Sequence, residues 1–355
     1  MITISLCMIV KNESKVIERC LDSIKEVVDE IIIVDTGSTD NTKELIKKYD
    51  AKIIDYKWND NFADARNFSF SMATKDYVLW LDADDIVPRE STQRILDLKK
   101  VLDESIDSVT MKYVLGMDEY DNITMSLGRN RLVRRDCNFK WIGAVHEYLD
   151  VSGKILNTDI KVIHKKDKVS SQRNLNIFRK MIKEEKVFTP RDKFYYGNEL
   201  FYNELYSEAI KIYEDFLIED DSWVEDKKTA CMNLSICYRN LKETSKVLST
   251  LFRSFEYDAP RADFACCIGD VLLEKDNIEG AIFWYEVAAN WMPPQDYLGL
   301  INEAYYTWVP NLQLCVSYFK KGDINKSAIH NEEAAKYIPQ DSRIKYNREL
   351  LKEYL

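Results

Sequence analysis

Apolar positions in the first hundred residues change period repeatedly. Residues 2–10 form an apolar run, and from Ser14 onward Val16, Ile17, Cys20, Leu21 and Ile24 recur at helical spacing, which places them on one face. "EIIIVD" at 30–35 is a short β-branched run of the kind covered on both faces in parallel sheets. The polar "TGSTDNT" then leads into a helix carrying Leu45, Ile46 and Tyr49. A strand over 51–58 ("AKIIDYKW"), a helix over 62–73 ("FADARNFSFSMA") and a strand over 76–81 ("DYVLWL") follow. This alternation predicts right-handed βαβ units and an open parallel sheet, whose ligands bind beyond the carboxyl ends of the strands. Asp35 and Asp82 both stand at that edge.

Between 106 and 164 the pattern shifts to mixed-polarity runs with short turns ("DSVTMKYVLG", "NRLVRR", "FKWIGAV", "KILNTDIKVIHK"), which predict an antiparallel extension of the sheet. "SSQRNLNIFRKMIKEEKVF" at 170–188 reads as a helix leaving the domain. From about 190 the helical period persists and repeats. Gly197, Ala209 and Tyr213 mark one unit, Ser235 and Leu251 a second, and Gly269, Ala281, Tyr285 and Pro293 a third. Ser235 and Gly269 are 34 positions apart, and Gly197 stands 38 before Ser235. "LQLCVSYFKKGDINKSAIHNEEAAKYIP" carries a fourth unit after an insertion around 294–308. A small residue facing a small residue, with an aromatic four positions later, is the tetratricopeptide pattern. The expected organisation is an α/β domain over 1–168, a connecting helix over 169–189 and an all-α repeat domain over 190–355.

Composition narrows the function classes. A formal net charge of −10 argues against a general nucleic-acid binder, which needs basic patches. No apolar stretch approaches the ~18 residues of a membrane span, and "MITISLCMIVKNE" lacks the basic start and cleavage site of a signal peptide. The eight cysteines form no C-x-x-C pair, which argues against structural zinc and for reduced thiols in a cytoplasmic protein.

The chemistry gathers at "LWLDADDIV". Asp82, Asp84 and Asp85 follow a buried-strand pattern without a spacer, and Asp82-Ala83-Asp84 is the one Asp-x-Asp in the chain. Carboxylates this close repel unless a cation or donor-rich ligand compensates them. A solvated acidic turn is the bland alternative. Mg²⁺ and Mn²⁺ are commonly held by one or two carboxylates with substrate phosphates completing the shell.

Four stretches occur in order: "MIVKNE" (8–13), "VDTGSTDNT" (34–42), "FADARN" (62–67) and "WLDADD" (80–85). Together they resemble the family 2 glycosyltransferases over about residues 1–165. The resemblance implies a GT-A fold, Rossmann-like with a mixed sheet, a nucleotide-sugar donor such as a UDP-hexose, and Mg²⁺ or Mn²⁺. It implies that Val10, Glu13, Asp35, Asp64, Arg66, Asp82 and Ala83 line the donor, with Asp35 at the base. Asp84 and His146 are then the expected metal ligands. Arg66 suits bidentate phosphate binding, against a salt bridge with Asp64. "GAVHEYL" (143–149) supplies Glu147 as the expected base for an inverting transfer, with His146 at the metal, at the diphosphate or supporting Glu147. A strand-end His and Glu facing solvent is the alternative. The family's Glu-Asp base motif is absent, which leaves Asp85 as the second candidate base.

A family 2 domain followed by such repeats looks like the sublancin-type bacteriocin peptide glycosyltransferases. That likeness implies a peptide Cys or Ser acceptor, with the repeats holding the peptide or a second copy. Rival readings are a non-catalytic interaction protein with a degenerate sugar domain, and a transferase acting on a surface glycan or lipid-linked acceptor.

Overall fold

The computed structural model describes residues 1–165, 172–259, 261–292 and 299–354. They divide into two compact units: residues 1–116, 126–165, 172–180 and 299–300 in the first, and 117–125 with the remainder in the second.

The first unit alternates as the apolar periods require. Strands β1 (Ile4–Val10), β2 (Glu30–Asp35), β3 (Lys52–Asp55) and β4 (Tyr77–Trp80) are separated by helices α1 (Ile17–Ile24), α2 (Thr42–Ile46) and α3 (Phe62–Ser71). A two-residue strand β5 (Asp85–Ile86) and helix α4 (Arg89–Val101) follow, then β6 (Ser108–Met117), β7 (Ile123–Arg134), β8 (Lys140–Ile142), β9 (Tyr148–Asp150), β10 (Ile155–His164) and helix α5 (Arg173–Lys183). The sheet runs β3-β2-β1-β4-β7-β6-β10-β5, and β8 and β9 form a separate antiparallel pair.

β1 pairs in parallel with both β2 and β4, and β2 with β3, so Val10, Asp35 and Asp55 end level with one another. Successive residues of β1 and β2 feed opposite cores. Leu6, Met8 and Ile33 join Ile17, Leu21 and Leu79 on one face, while Cys7 and Ile32 join Val78, Trp80 and Trp141 on the other. Burial on both faces is why these strands read as continuous apolar runs.

The extension over 106–164 is not wholly antiparallel. β7 is antiparallel to β4, but β10 runs parallel to β6, with an irregularity between Asn157 and Lys161. The β8–β9 excursion returns the chain to the starting end of the sheet, so β10 enters in the same sense as β6. β10 in turn pairs antiparallel with β5, setting His164 against Asp85. The helix expected over 170–188 is α5, which ends at Lys183 in a turn through the left-handed Glu185. The N–H groups of Glu185 and Lys186 return to the Ile182 and Met181 carbonyls, and Thr189 and Asp192 then form a capping box that starts the next helix at Pro190. Residues 169–171 and Pro293 lie outside the described residues.

The second unit carries α6 (Pro190–Tyr202), α7 (Tyr206–Leu217), α8 (Val224–Asn240), α9 (Thr244–Arg253), α10 (Ala262–Glu274), α11 (Ile278–Ala289), α12 (Trp308–Lys321), α13 (Ile324–Ala335) and α14 (Ser342–Lys352). Among the described residues α6 to α13 form four tetratricopeptide-like helix pairs, and α14 follows them. A Cβ added at Gly197 would stand 2.7 Å from the Tyr213 ring, and one at Gly269 2.5 Å from Tyr285. The glycines are there because the aromatic lies directly on the backbone of its partner helix. Each turn within a pair passes through one left-handed residue: Glu204, Lys242, Asp276 and Gly322. Their common phase places Cys315 at the small-residue position of the fourth pair.

Candidate functional site

In the first unit, the carboxyl ends of the parallel strands open on a cavity of about 690 Å³, within the size range of ligand sites. The loops after β1 and β2 are tied together at its rim. The backbone N–H of Asn12 donates to Ser38 Oγ (2.9 Å), that of Thr39 to Asn12 Oδ1 (2.7 Å), and that of Glu13 to Thr42 Oγ1 (2.8 Å). The Val10 carbonyl accepts from the Thr36 backbone and hydroxyl at 2.9 and 3.1 Å. Val10 and Glu13 line the cavity.

Asp35 is fully buried at the end of β2. Its Oδ1 accepts from the backbone N–H groups of Gly37 (2.9 Å) and Ser38 (2.8 Å), a turn made possible by the left-handed Gly37. Its Oδ2 is buried with no hydrogen-bond partner among the described residues. Such an acceptor costs free energy unless a ligand supplies the donor.

Arg66, on the buried side of α3, joins two of the expected site residues. Its Nη2 lies 2.7 Å from Asp82 Oδ1 and its Nε 2.5 Å from Glu147 Oε1, and its guanidinium lies over Trp141 and Trp80 at 4.8 and 5.1 Å. Burial works to raise the Asp82 carboxyl, but Arg66 and Arg131 outweigh it and hold it at about 2. The same pairings keep Arg66 charged despite its burial. The alternative for Arg66, a salt bridge with Asp64, does not form, and its partners are Asp82 and Glu147. Asp64 is exposed, accepts from Asn59 Nδ2 at 2.7 Å and is absent from the cavity wall, because it takes the solvent side of α3 as its N-terminal acid.

Ala83 and Asp84 line the cavity with Asp82. Beside them stands His164, which sequence reasoning passed over. Its Nδ1 lies 3.4 Å from both Asp84 Oδ1 and Asp85 Oδ1, and among the described residues Asp84, Asp85 and His164 form a group able to converge on one ion. Burial lowers the His164 pKa, but the surrounding carboxylates more than reverse this and the net direction is upward. Burial and the neighbouring acids push the Asp84 carboxyl up. His146 lies outside this group. It lines the cavity in a left-handed backbone conformation (φ 52°) after the positive-φ Gly143, one residue before Glu147. The histidine at the acidic cluster is therefore His164, because the β5–β10 pairing brings it there. A histidine closing a predicted strand was the available signal.

Asp85, the second candidate base, is fully buried. It accepts from Tyr113 Oη (2.9 Å) and the Asp82 backbone (2.9 Å), and lies 3.0 Å from Arg131 Nη1. Saturated and absent from the cavity wall, it has no access to an acceptor. No helix among the described residues is long and apolar enough to cross a membrane.

Residues 5–141 match glycosyl transferase family 2. The SPbeta prophage-derived glycosyltransferase SunS of Bacillus subtilis (strain 168) is 32% identical over 222 residues, covering 59% of this chain and 51% of its own. A TPR repeat-containing protein of Synechococcus elongatus is 46% identical over 85 residues, 24% of this chain and 21% of its own. Among solved structures, glucosyl-3-phosphoglycerate synthase from Mycobacterium tuberculosis, in complex with Mn²⁺, uridine diphosphate and phosphoglyceric acid, is 28% identical with a TM-score of 0.28, covering 32% of this chain and 43% of its own. The chain spans about half the length of SunS, the first of the curated relatives it matches.

Proposed function

We propose that this chain, whose residues 5–141 form a glycosyl transferase family 2 domain, transfers a sugar from a nucleotide-sugar to an acceptor with inversion. The observation that carries the reading is the convergence on one cavity of Asp82, Arg66 and Glu147 with the Asp84–His164 pair. A carboxylate oxygen and an imidazole nitrogen are a donor set that suits Mg²⁺ or Mn²⁺, and Asp84 and His164 would hold the ion. When bound, the ion neutralises charge on the leaving diphosphate.

The chain's own residues do the rest. Asp35, read as the partner of the nucleotide base, is itself fully buried and absent from the cavity wall, so its Oδ2 meets a base N–H only when the loops after β1 and β2 part; Val10 and Glu13 form the adjoining wall. Asp82, oriented by Arg66, faces the ribose or diphosphate. The acceptor's heteroatom bonds to the anomeric carbon as the anomeric C–O bond breaks, and that electron pair leaves on the diphosphate oxygen. The acceptor proton passes to Glu147, whose Oε1 is held by Arg66 and whose Oε2 would take it. His146, in its left-handed turn, supports the diphosphate side of Glu147. The donor is read as a UDP-hexose. The acceptor is read as a peptide Cys or Ser, from the similarity to SunS together with tetratricopeptide-like repeats, which present extended surfaces for a polypeptide or a second copy.

Intact-mass analysis of candidate peptides incubated with UDP-sugars and Mn²⁺ tests the function. A hexose increment that disappears in Asp84→Ala supports it. Binding of UDP-sugar without any transfer or hydrolysis would favour a sugar-binding interaction protein.

A further inference from the structure

Building on the metal-dependent reading above, we propose that Asp85 is a positioning residue. It fixes the Asp82–Asp84 loop and the His164 ring in the arrangement that receives a divalent cation, and it is not itself a ligand.

The three acids of "DADD" are partnered differently. Asp82 pairs with Arg66 and Asp85 with Arg131, whereas Asp84 pairs with neither guanidinium. Asp84 and His164 line the cavity, and Asp85 does not. The oxygens of Asp85 are already committed. Oδ2 accepts the Asp82 backbone N–H at 2.9 Å and lies 3.0 Å from Arg131 Nη1, while Oδ1 accepts from Tyr113 Oη at 2.9 Å and lies 3.4 Å from His164 Nδ1. The Asp85 backbone also donates to the Asp82 carbonyl at 3.0 Å, and Lys165 donates to the Asp84 carbonyl at 2.9 Å. The loop carrying Asp82 and Asp84 and the strand end carrying His164 are thus both fastened to one side chain.

That side chain is held rigidly. Arg131 is fully buried, with its guanidinium 3.8 Å from the Trp80 ring and 4.2 Å from the Tyr113 ring. It compensates the buried Asp85 carboxylate, which would otherwise be costly. Asp85 and Asp84 face the same ring nitrogen of His164, so Asp85 restrains the rotation of the ring and the loop beside it, and losing an outer partner of a metal ligand typically weakens metal affinity ~10–100-fold.

The test measures free Mn²⁺ by electron paramagnetic resonance as the full chain is titrated with the ion in the presence of UDP. Wild type, Asp85→Asn and Tyr113→Phe are compared, each with its melting temperature and its metal-free UDP affinity. Asp85→Asn should weaken Mn²⁺ binding about 10–100-fold, and Tyr113→Phe several-fold, each with a much smaller change in metal-free UDP affinity, which the loop reaches only through Asp82. Tyr113→Phe keeps the ring against Arg131 and removes one donor to Asp85, so it remains informative if Asp85→Asn fails to fold. Wild-type Mn²⁺ affinity in folded Tyr113→Phe and, where it folds, Asp85→Asn overturns the proposal and leaves the metal reading standing. A wild-type chain that takes up no Mn²⁺ with UDP overturns the metal reading itself, and the proposal with it.

Discussion

In the helical repeats, the Tyr213 hydroxyl donates to Asn198 Oδ1 at 2.7 Å, and Asn233 Nδ2 donates to both at 3.1 and 3.0 Å. One pair further on but one, Tyr285 and Gln313 both donate to Asp270 Oδ1, at 2.6 and 2.9 Å. In the sheet domain, by contrast, Asp35 buries an oxygen with no donor, and Arg66 bridges two carboxylates on a cavity wall. Both units bury polar groups, yet one set is closed on itself, while Arg66 with Asp82 and Glu147 lines a ligand-sized space and Asp35 lies buried behind its rim. A closed network specifies how successive helices register. An open one carries a cost that only a bound partner relieves. Buried polarity therefore bears on function here where it lines the cavity, since buried atoms with no partner among the described residues, such as Ser317 Oγ and Trp308 Nε1, also occur in the repeats.

The largest effect that would sharpen this contrast is at Glu147. Glu147→Gln should lower kcat by about 10²–10⁴-fold while largely sparing donor affinity and lowering the melting temperature only modestly, since Asp82 still compensates the buried Arg66, as steady-state kinetics and calorimetry will show. A kcat that stays at the wild-type value would place Glu147 with the closed, structural set. Next comes Asp35→Asn, which turns an unpaired acceptor into a donor. Donor affinity measured by calorimetry should drop by roughly 10–100-fold, equivalent to the ~1–3 kcal/mol of an unmade buried hydrogen bond, with no loss of stability. Unchanged donor affinity would remove Asp35 from the site.

Tyr213→Phe probes the opposite side of the comparison. It should cost about 1–2 kcal/mol of stability by removing the hydroxyl that bonds both Asn198 and Asn233, which keep only their mutual bond, and leave donor binding as in the wild type. A chemical denaturation curve that does not move would show the triad to be idle. The smallest effect is at Asp226. Burial pushes its carboxyl up to about 6, with Arg191 opposing and Glu225 adding to the rise. Its folded pKa stands above that of an unfolded aspartate, so the protonated form favours folding. That contribution is complete below the unfolded value and is lost as pH climbs through about 6. Between about pH 4 and 7, wild-type stability should fall relative to Asp226→Asn by on the order of 1 kcal/mol. Parallel pH profiles for the two chains would count Asp226 as electrostatically neutral to the fold.

Much of this architecture is legible along the chain because its signals are local. The run of Ile31, Ile32 and Ile33 announces a strand buried on both faces, and the spacing of Gly197 to Tyr213 recurs as Gly269 to Tyr285 because each pair of helices solves the same packing problem. Asp35 and Asp82 fall at the ligand edge by the rule that parallel strands present their carboxyl ends together. Asp82, Asp84, Arg66 and Glu147 were all nameable from motif order.

Their partners were not. Arg66 is two residues from Asp64 in sequence, a spacing that puts them on opposite faces of a helix, so Asp64 goes to solvent while Arg66 turns toward the sheet and pairs with Asp82 and Glu147. His164 reaches Asp85 only because β10 inserts between β6 and β5, and His146 is excluded from that group by the same topology. By itself, then, the amino-acid order determined the elements, the repeat and the acidic strand end, all of which rest on periods of a few residues. Tertiary structure decided which charges meet, because strand order and register bring together residues that no local period relates.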